Sequence, residues 1–417
     1  MIKPPPLRND CFALPAGVNW TPVDAALTLL QTRLSAVTAS STVSLDGALG
    51  RVLTQDVIAA RSNPPQANSA VDGYGFSGAV PDGEHVLPLT EGRAAAGVPF
   101  CGTVPIGQAV RILTGAALPH GVDTVILEED VTTDGKCIAF RGPLKAGANA
   151  RKAGEDVEAG DVALRAGRVI TAADLALMSA IGVSRIAVRE RLRVAVLSTG
   201  DELVEPGQTA SKAQIFDANR PMLIAMVRRF GFLPVDMGRV GDDRDALRAQ
   251  LDAAAQGADV ILTSGGASAG DEDHVSALLR DAGALQEWRI AVKPGRPLAL
   301  GMWNGVPVFG LPGNPVAAMV CALIFAHPAM ALLAGADWQA PQGYDVPAAF
   351  EKRKKPGRRE YLRARVRDGR AEVFASEGSG RISGLSWAEG LVEIGDGERH
   401  IQSGDPVYFI PFSSFGL

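Results

Sequence analysis

The residues of this chain best suited to chemistry are carboxylates set beside runs of small residues. TSGGASAGDEDH, Thr263 to His274, follows the apolar run ADVIL, opens into small residues and closes on Asp271, Glu272 and Asp273. STGDEL, Ser198 to Leu203, and GLPGNP, Gly310 to Pro315, likewise follow apolar runs, LRVAVL and VPVF. Small residues let backbone N–H groups approach an anion closely, and a following helix adds partial positive charge at its N-terminus, so phosphate is the expected guest. Asp201, Glu202, Asp242, Asp243 and Asp271 to Asp273 would repel a phosphate at that edge. A bound cation resolves the conflict, because magnesium takes carboxylate oxygens together with substrate phosphates in octahedral geometry. Asp242 and Asp243 also read as caps of the Ala/Leu-rich helix after GDDRDAL, and one of Asp271 to Asp273 as the cap of HVSALLRDAG. Which acids meet metal and which cap helices stays open at this point.

Basic residues supply a second set of candidates. WRIAVKPGRP places Arg289, Lys293 and Arg296 near two prolines that stiffen the turn, where they could neutralise phosphate or another oxyanion. Arg289 also fits a surface position on an alternating strand. The run KRKKPGRRE, Lys352 to Glu360, reads as a solvated hairpin edge guarded against pairing.

These loops need elements to hold them. From Arg191 to Gly335 the chain alternates apolar strands with helices of roughly 10–15 residues, the pattern of a parallel, doubly wound α/β sheet, with three short strands before the last helix. In such a sheet ligands sit beyond the carboxyl ends of the strands, which is where the three small-residue loops fall. TPVDAALTLLQTRL offers Thr21 as cap and Pro22 at the first helical position of a helix through Leu34, and a second helix starts near Thr171. Short β-rich runs punctuated by glycine and proline fill Leu45 to Ala150, and β signals return after Asp345, as in REYLRARV, RAEVFA and DPVYFIPF. The expected division is 1–50 plus 151–190 as a linking domain and 51–150 as a small β-rich domain. An α/β domain over 191–337 and a C-terminal β-barrel or sandwich over 338–417 complete it.

Composition narrows the function classes. The chain of 417 residues is 47% hydrophobic and 21% charged, the balance of globular proteins, and is long enough for several cores. A net charge of -5 argues against a nucleic-acid surface. Cys11, Cys101, Cys137 and Cys321 are scattered without a C-x-x-C pair, pointing to a reducing cytoplasm rather than a zinc site or disulfide framework. VAAMVCALIFA, Val316 to Ala326, stops at His327-Pro328, short of the ~20 residues a bilayer demands, and reads as a buried helix.

The segments NSAVDGYGF, RILTGAALPHGVDTVILEED, AGEDVEAGD, STGDELVEPG, IFDANRPML, SGGASAGDEDH, AVKPGRP, GLPGNPVAA and KPGRREYLRA occur in this order over nearly the whole chain. Together they resemble the molybdopterin molybdenumtransferase family of the MoeA type, related to the gephyrin E domain. The resemblance implies transfer of molybdenum from molybdate into adenylylated molybdopterin with magnesium (Mg2+), releasing AMP. It also implies a cytoplasmic homodimer with shared active sites, and contact with other proteins of molybdenum cofactor biosynthesis. Residue by residue, it assigns catalytic roles to Asp72, Thr114, Asp156, Glu202, Asp242 and Asp273, with Asp72 reaching across the dimer. Glu202, Asp242 and Asp273 become the metal-binding acids, while Ser264, Gly265, Gly266, Lys293, Pro312, Gly313 and Asn314 become the cofactor-binding loops; Arg358 and Ser379 match more weakly. Gly75, Ala267 and His274 depart from the usual Ala, Val and aromatic of that pattern without removing an acid. Two competing readings are the adenylyltransferase of the same pathway, whose single domain resembles Arg191 to Gly335, and a non-catalytic molybdopterin-binding scaffold.

Overall fold

Along Arg193–Thr199, Val260–Ser264 and Val306–Leu311 both faces of each strand are apolar. Val194, Val196, Val260, Leu262, Phe309 and Leu311 enter one buried cluster, and Ala195, Leu197, Ile261 and Val308 enter another. A strand buried on both faces needs helices on both. Asn219–Arg229 and Pro315–Leu333 cover the first face with Leu223, Val227, Leu323 and Phe325. Arg244–Gly257 and His274–Asp281 cover the second with Leu247, Leu251, Val275 and Leu278.

The computed structural model describes residues 20–266, 274–283, 285–287, 289–295 and 298–417. Its α/β sheet has the order Leu233–Val240, Arg193–Thr199, Val260–Ser264, Val306–Leu311, Ala299–Trp303, Leu285–Glu287. The first four strands run parallel and the last two pairings are antiparallel, so the doubly wound, mostly parallel sheet expected from the sequence is present. One of the three short strands expected there belongs elsewhere. Val292–Lys293 pairs in parallel with Arg359–Arg367, Lys293 opposite Glu360, and so edges the C-terminal sheet. That sheet continues through Gly390–Ile394, Pro406–Pro411 and Tyr344–Pro347.

Two helix ends differ from the sequence reading. The first helix spans Val23–Arg33, flanked by Pro22, because the backbone of Thr21 is engaged elsewhere. The Thr21 N–H donates to the Arg289 carbonyl at 2.9 Å, and its carbonyl accepts from the Ala291 N–H at 2.8 Å. The last α/β helix does not stop at His327-Pro328 but runs on to Leu333. A π-helical turn over Ala322–Ala326, closed by the His327 N–H on the Ala322 carbonyl, precedes Pro328, which has no N–H to donate. The resulting helix is long and apolar enough to cross a membrane by length and composition, yet 89% of its apolar window is buried inside the protein. Its hydrophobicity is therefore spent on the core.

His327 lies in that helix, its ring 4.4 Å from Phe230 and 5.6 Å from Phe415. Burial lowers its pKa to about 4. The folded pKa is below the unfolded one, so the neutral ring is favoured by the fold, and its stability contribution is full above about pH 6.5 and lost as pH falls towards 4. Urea unfolding at pH 7.5 and pH 5 should show wild type losing ~2 kcal/mol more than His327→Leu. Equal losses would mean that the ring titrates normally.

The run KRKKPGRRE is not a solvated edge. Strand alternation turns Lys352 and Lys354 inward. Lys352 sits between Glu360, at 3.0 Å, and Glu377, whose attraction outweighs burial and raises its pKa. The Lys354 ammonium donates to the carbonyls of Lys355, Asp396 and Gly397, and burial pulls its pKa down.

The second compact unit, Thr42–Val188, holds a six-stranded sheet in the order Thr124–Leu127, Gly73–Phe76, Ala109–Ile112, Val80–Ala94, Cys137–Leu144, Thr132–Thr133. Tyr74, Phe76, Ile126, Ile138 and Phe140 form one of its cores. Its helix, Ala172–Ala180, starts at a capping box in which Thr171 and Asp174 satisfy each other's backbone N–H, in keeping with the start read near Thr171.

Candidate functional site

Parallel register brings the strand-end loops together. Thr199 pairs with Val240, Ser198 with Ser264, and Ser264 with Leu311, so four strands end flush and the loops after them share one edge. The floor of that edge is small and polar: Ser198, Thr199 and Ser264 are all buried. Gly265 keeps the third loop close, its N–H donating to the Leu311 carbonyl at 3.1 Å. Its φ is +96°, and a Cβ there would lie 2.6 Å from the Thr199 carbonyl oxygen, so no other residue fits. That N–H is engaged at the sheet.

The acids divide into roles that the sequence left open. Asp243 is the helix cap, its Oδ1 accepting from the Ala246 N–H at 2.7 Å. Asp242 faces the first loop instead. The Asp201 N–H donates to Asp242 Oδ2 at 3.2 Å and the Asp242 N–H to Asp201 Oδ1 at 3.1 Å, which ties the ends of two neighbouring strands. Glu202 stands exposed beside them, and the structure gives its carboxylate no ion pair among the described residues. Glu202 and Asp242 thus offer hard oxygen donors at one end of the edge, although no group of three or more His, Cys, Asp or Glu converges on a metal position among the described residues. Asp271, Glu272, Asp273 and Arg296 lie outside those residues.

At the other end stands the turn Pro312, Gly313, Asn314. Asn314 flanks the helix without capping it, and its Oδ1 is buried without a hydrogen-bond partner among the described residues. The first-turn N–H of Val316 is taken by the Ser379 carbonyl at 3.3 Å, so a loop of the tail closes on this turn. Arg363 organises that tail loop, donating to the carbonyls of Ser376, Gly378 and Arg381.

Lys293 is not a free cation at the strand ends. Its Nζ lies 2.7 Å from Glu377 and 3.4 Å from Glu360, on a cavity of about 180 Å³ that Val316, Lys352, Tyr361 and Arg363 also line. Burial opposes ionisation of Glu377, but Lys293 and Lys352 together hold its carboxyl below the usual range. Arg289 is half-buried and joins the backbone of Thr21. Arg358 is half-buried in the turn before Arg359–Arg367.

Within the second unit, Asp72 and Thr114 meet. Asp72 Oδ1 accepts from both the N–H and the hydroxyl of Thr114 at 2.6 Å, and these bonds, aided by Arg111, hold its carboxyl below the usual range. Asp156 accepts from the Asn63 amide at 3.0 Å, and among the described residues no hydrogen bond joins it to the Asp72 pair.

Sequence reasoning missed residues inside IFDANRPML. Asn219 donates from Nδ2 to Ser264 Oγ at 2.7 Å and to the Gly313 carbonyl at 2.8 Å. Arg220 pairs with Asp217, Asp236 and Glu205. The signal was an Asp, an Asn and an Arg packed into the start of an apolar helix, where burial obliges each to find partners.

Residues 21–182 match the family described as MoeA N-terminal region (domain I and II), 195–331 the probable molybdopterin binding domain, and 345–412 the MoeA C-terminal region (domain IV). Molybdopterin molybdenumtransferase of Haemophilus influenzae is 33% identical over 399 residues, covering 94% of this chain and 98% of its own. Molybdopterin molybdenumtransferase 2 of Mycobacterium tuberculosis is 35% identical over 384 residues, covering 87% and 93%. The crystal structure of the molybdopterin biosynthesis moeA protein from Pyrococcus horikoshii superposes with a TM-score of 0.80 at 26% identity, over 94% of this chain and 100% of that one.

Proposed function

This chain belongs to the MoeA family of molybdopterin molybdenumtransferases, and from that membership we propose how its strand-end loops carry out the transfer. The enzyme inserts molybdenum into molybdopterin. A full-length likeness to transferases leaves the adenylyltransferase alternative, which needs only the central domain, without support.

In our reading the substrate is adenylylated molybdopterin, with molybdate as the metal source and AMP as the released product. Its phosphates lie on the turns from Gly266 and from Pro312 to Asn314, and the floor of Ser198, Thr199 and Ser264 leaves room for them. The observation that carries this is the flush register of four parallel strands, which sets small-residue turns and carboxylates side by side. Glu202 and Asp242 would hold magnesium, with Asp273 as the third acid implied by family likeness. The donor set fits, because magnesium retains waters and needs only one or two carboxylates beside substrate phosphate. When bound, the ion supplies Lewis-acid charge stabilisation at the phosphoanhydride. The exchange between Asp201 and Asp242 holds the second acid in place, so that little reorganisation remains at the moment of reaction. Arg296 and Arg289 remain candidates for neutralising anionic substrate, whereas Lys293 would have to exchange Glu377 for it.

The same reading makes the enzyme a homodimer with shared active sites, to which Asp72, Thr114 and Asp156 contribute from the second unit. Mixing Asp72→Asn protomers with Glu202→Ala protomers tests both the roles and the sharing. Each variant alone should fail to restore molybdoenzyme activity in a transferase-deficient cell, and the mixture should recover about a quarter of the wild-type rate if statistical hybrids form. Full activity in either single variant would sink the assigned roles, and failure of the mixture would sink the sharing.

A further inference from the structure

We propose that Asn219 is a positioning residue, one whose side-chain amide holds the turn after Val260–Ser264 and the turn after Val306–Leu311 at a fixed separation. The inference rests on the assignment of those turns to the molybdopterin substrate. Asn219 opens its helix and is only 7% exposed. Its Nδ2 carries two hydrogens and both are used, one on Ser264 Oγ at 2.7 Å and one on the Gly313 carbonyl at 2.8 Å. A carbonyl can only accept, so the nitrogen must be the atom that faces Gly313, and chemistry fixes which way the amide points.

The partners lie 45 and 94 residues away in sequence, Ser264 at the end of its strand and Gly313 in the turn after Val306–Leu311. Among the described residues these two segments are otherwise joined by the hydrogen bond from Gly265 to Leu311, at the sheet itself. The amide thus ties the end of one strand to the turn that follows another. Its helix is anchored in turn. Arg220, the next residue, pairs with Asp217 before it and with Asp236 on the neighbouring strand.

Asn219 Oδ1, by contrast, is buried without a hydrogen-bond partner among the described residues. An unpaired amide oxygen in the interior is a cost, and an apolar residue of the same shape would avoid it if packing were the only task. What Asn219 supplies, and Leu could not, is a pair of donors, one aimed at the strand end from which the first turn leaves and one at the second turn itself. Fixed turns matter for binding because a surface already held in its bound arrangement loses less conformational freedom when the substrate docks.

Steady-state kinetics with adenylylated molybdopterin and molybdate provide the test, together with a melting curve for every variant. Asn219→Leu and Asn219→Asp, which keep the shape but lose the donors, should raise KM for the pterin by roughly tenfold while kcat changes much less. Ser264→Ala, which leaves the helix untouched, should raise KM by about threefold and serves if the Asn219 variants fold poorly. The double variant Asn219→Leu/Ser264→Ala should be no worse than Asn219→Leu alone, because both changes remove one shared bond. Unchanged KM with a lowered melting temperature would make Asn219 merely structural, and multiplicative effects would separate it from Ser264; either result overturns the proposal. A wild-type enzyme that converts no pterin would overturn the site assignment itself, whereas a competent wild type with unaffected variants would overturn this inference alone.

Discussion

Glu202→Gln should slow molybdenum insertion on the order of 100-fold or more while leaving the melting temperature of the protein unchanged. The two halves of that expectation have separate causes. The side chain is exposed at the end of Arg193–Thr199 and has no ion pair among the described residues, so removal of its charge strands no buried partner. Gly200 also leaves it room. Gly200 has φ +141°, and a Cβ there would lie 2.3 Å from Glu202 Oε2, so the glycine leaves the space that the carboxylate occupies. Gln keeps the shape and loses only the charge, which is what a metal-holding or charge-stabilising role requires. Insertion rates within about threefold of wild type would remove Glu202 from the reaction, since a charge lost from a preorganised site costs far more. A fall in melting temperature that matched the loss of rate would make the effect structural.

Arg220→Met should be the most destabilising single change in the α/β region outside its apolar core, by about 3–5 kcal/mol. Arg220 is buried with Asp217, and it donates to Asp217, to both oxygens of Asp236 at 2.7 Å, and to Glu205. Burial would lower the guanidinium's pKa, but the three acids more than offset it. Asp217 is only 1% exposed, so without Arg220 its carboxylate is left uncompensated in the interior. Asp236 and Glu205 are about half exposed and can turn to water, which is why the cost centres on Asp217. Denaturant unfolding measures the effect, and adding Asp217→Leu to Arg220→Met should restore much of the loss because both charges are then gone. A loss below about 1 kcal/mol would mean that the network is no stronger than a surface ion pair.

The parts of the fold that sequence made legible are those governed by neighbours along the chain. LRVAVLS, ADVIL and VPVF are apolar at successive positions because both faces of each strand are covered, and that signal names the strands, their class and the edge where loops gather. The helix start near Thr171 was visible for the same reason: the partner that caps it, Asp174, is three residues away. What sequence left ambiguous or hid depends on distant partners. Either of two adjacent acids could cap Arg244–Gly257, and only the return of the Asp201 loop decides that Asp243 caps while Asp242 faces the site. Asn219 gave no local sign that it joins residues 264 and 313. A cluster of lysines implies water by composition alone, and Glu360, Glu377 and the carbonyls near Asp396 bury two of them. Lys293 was read as substrate-facing from its motif, yet carboxylates from the tail reach it first. Asp273, the acid given the sharpest role by family likeness, falls outside the described residues.

Molybdenum transfer at the strand-end loops is tested most directly by a defined reaction. Purified chain would be incubated with adenylylated molybdopterin, molybdate and magnesium, with the pterin-bound molybdenum and the free AMP both quantified. Molybdenum-loaded pterin and AMP should appear in equal amounts with the wild type, and both should fall together in Glu202→Gln. Adenylylated pterin formed from molybdopterin and ATP, or AMP released with no molybdenum on the pterin, would contradict the account.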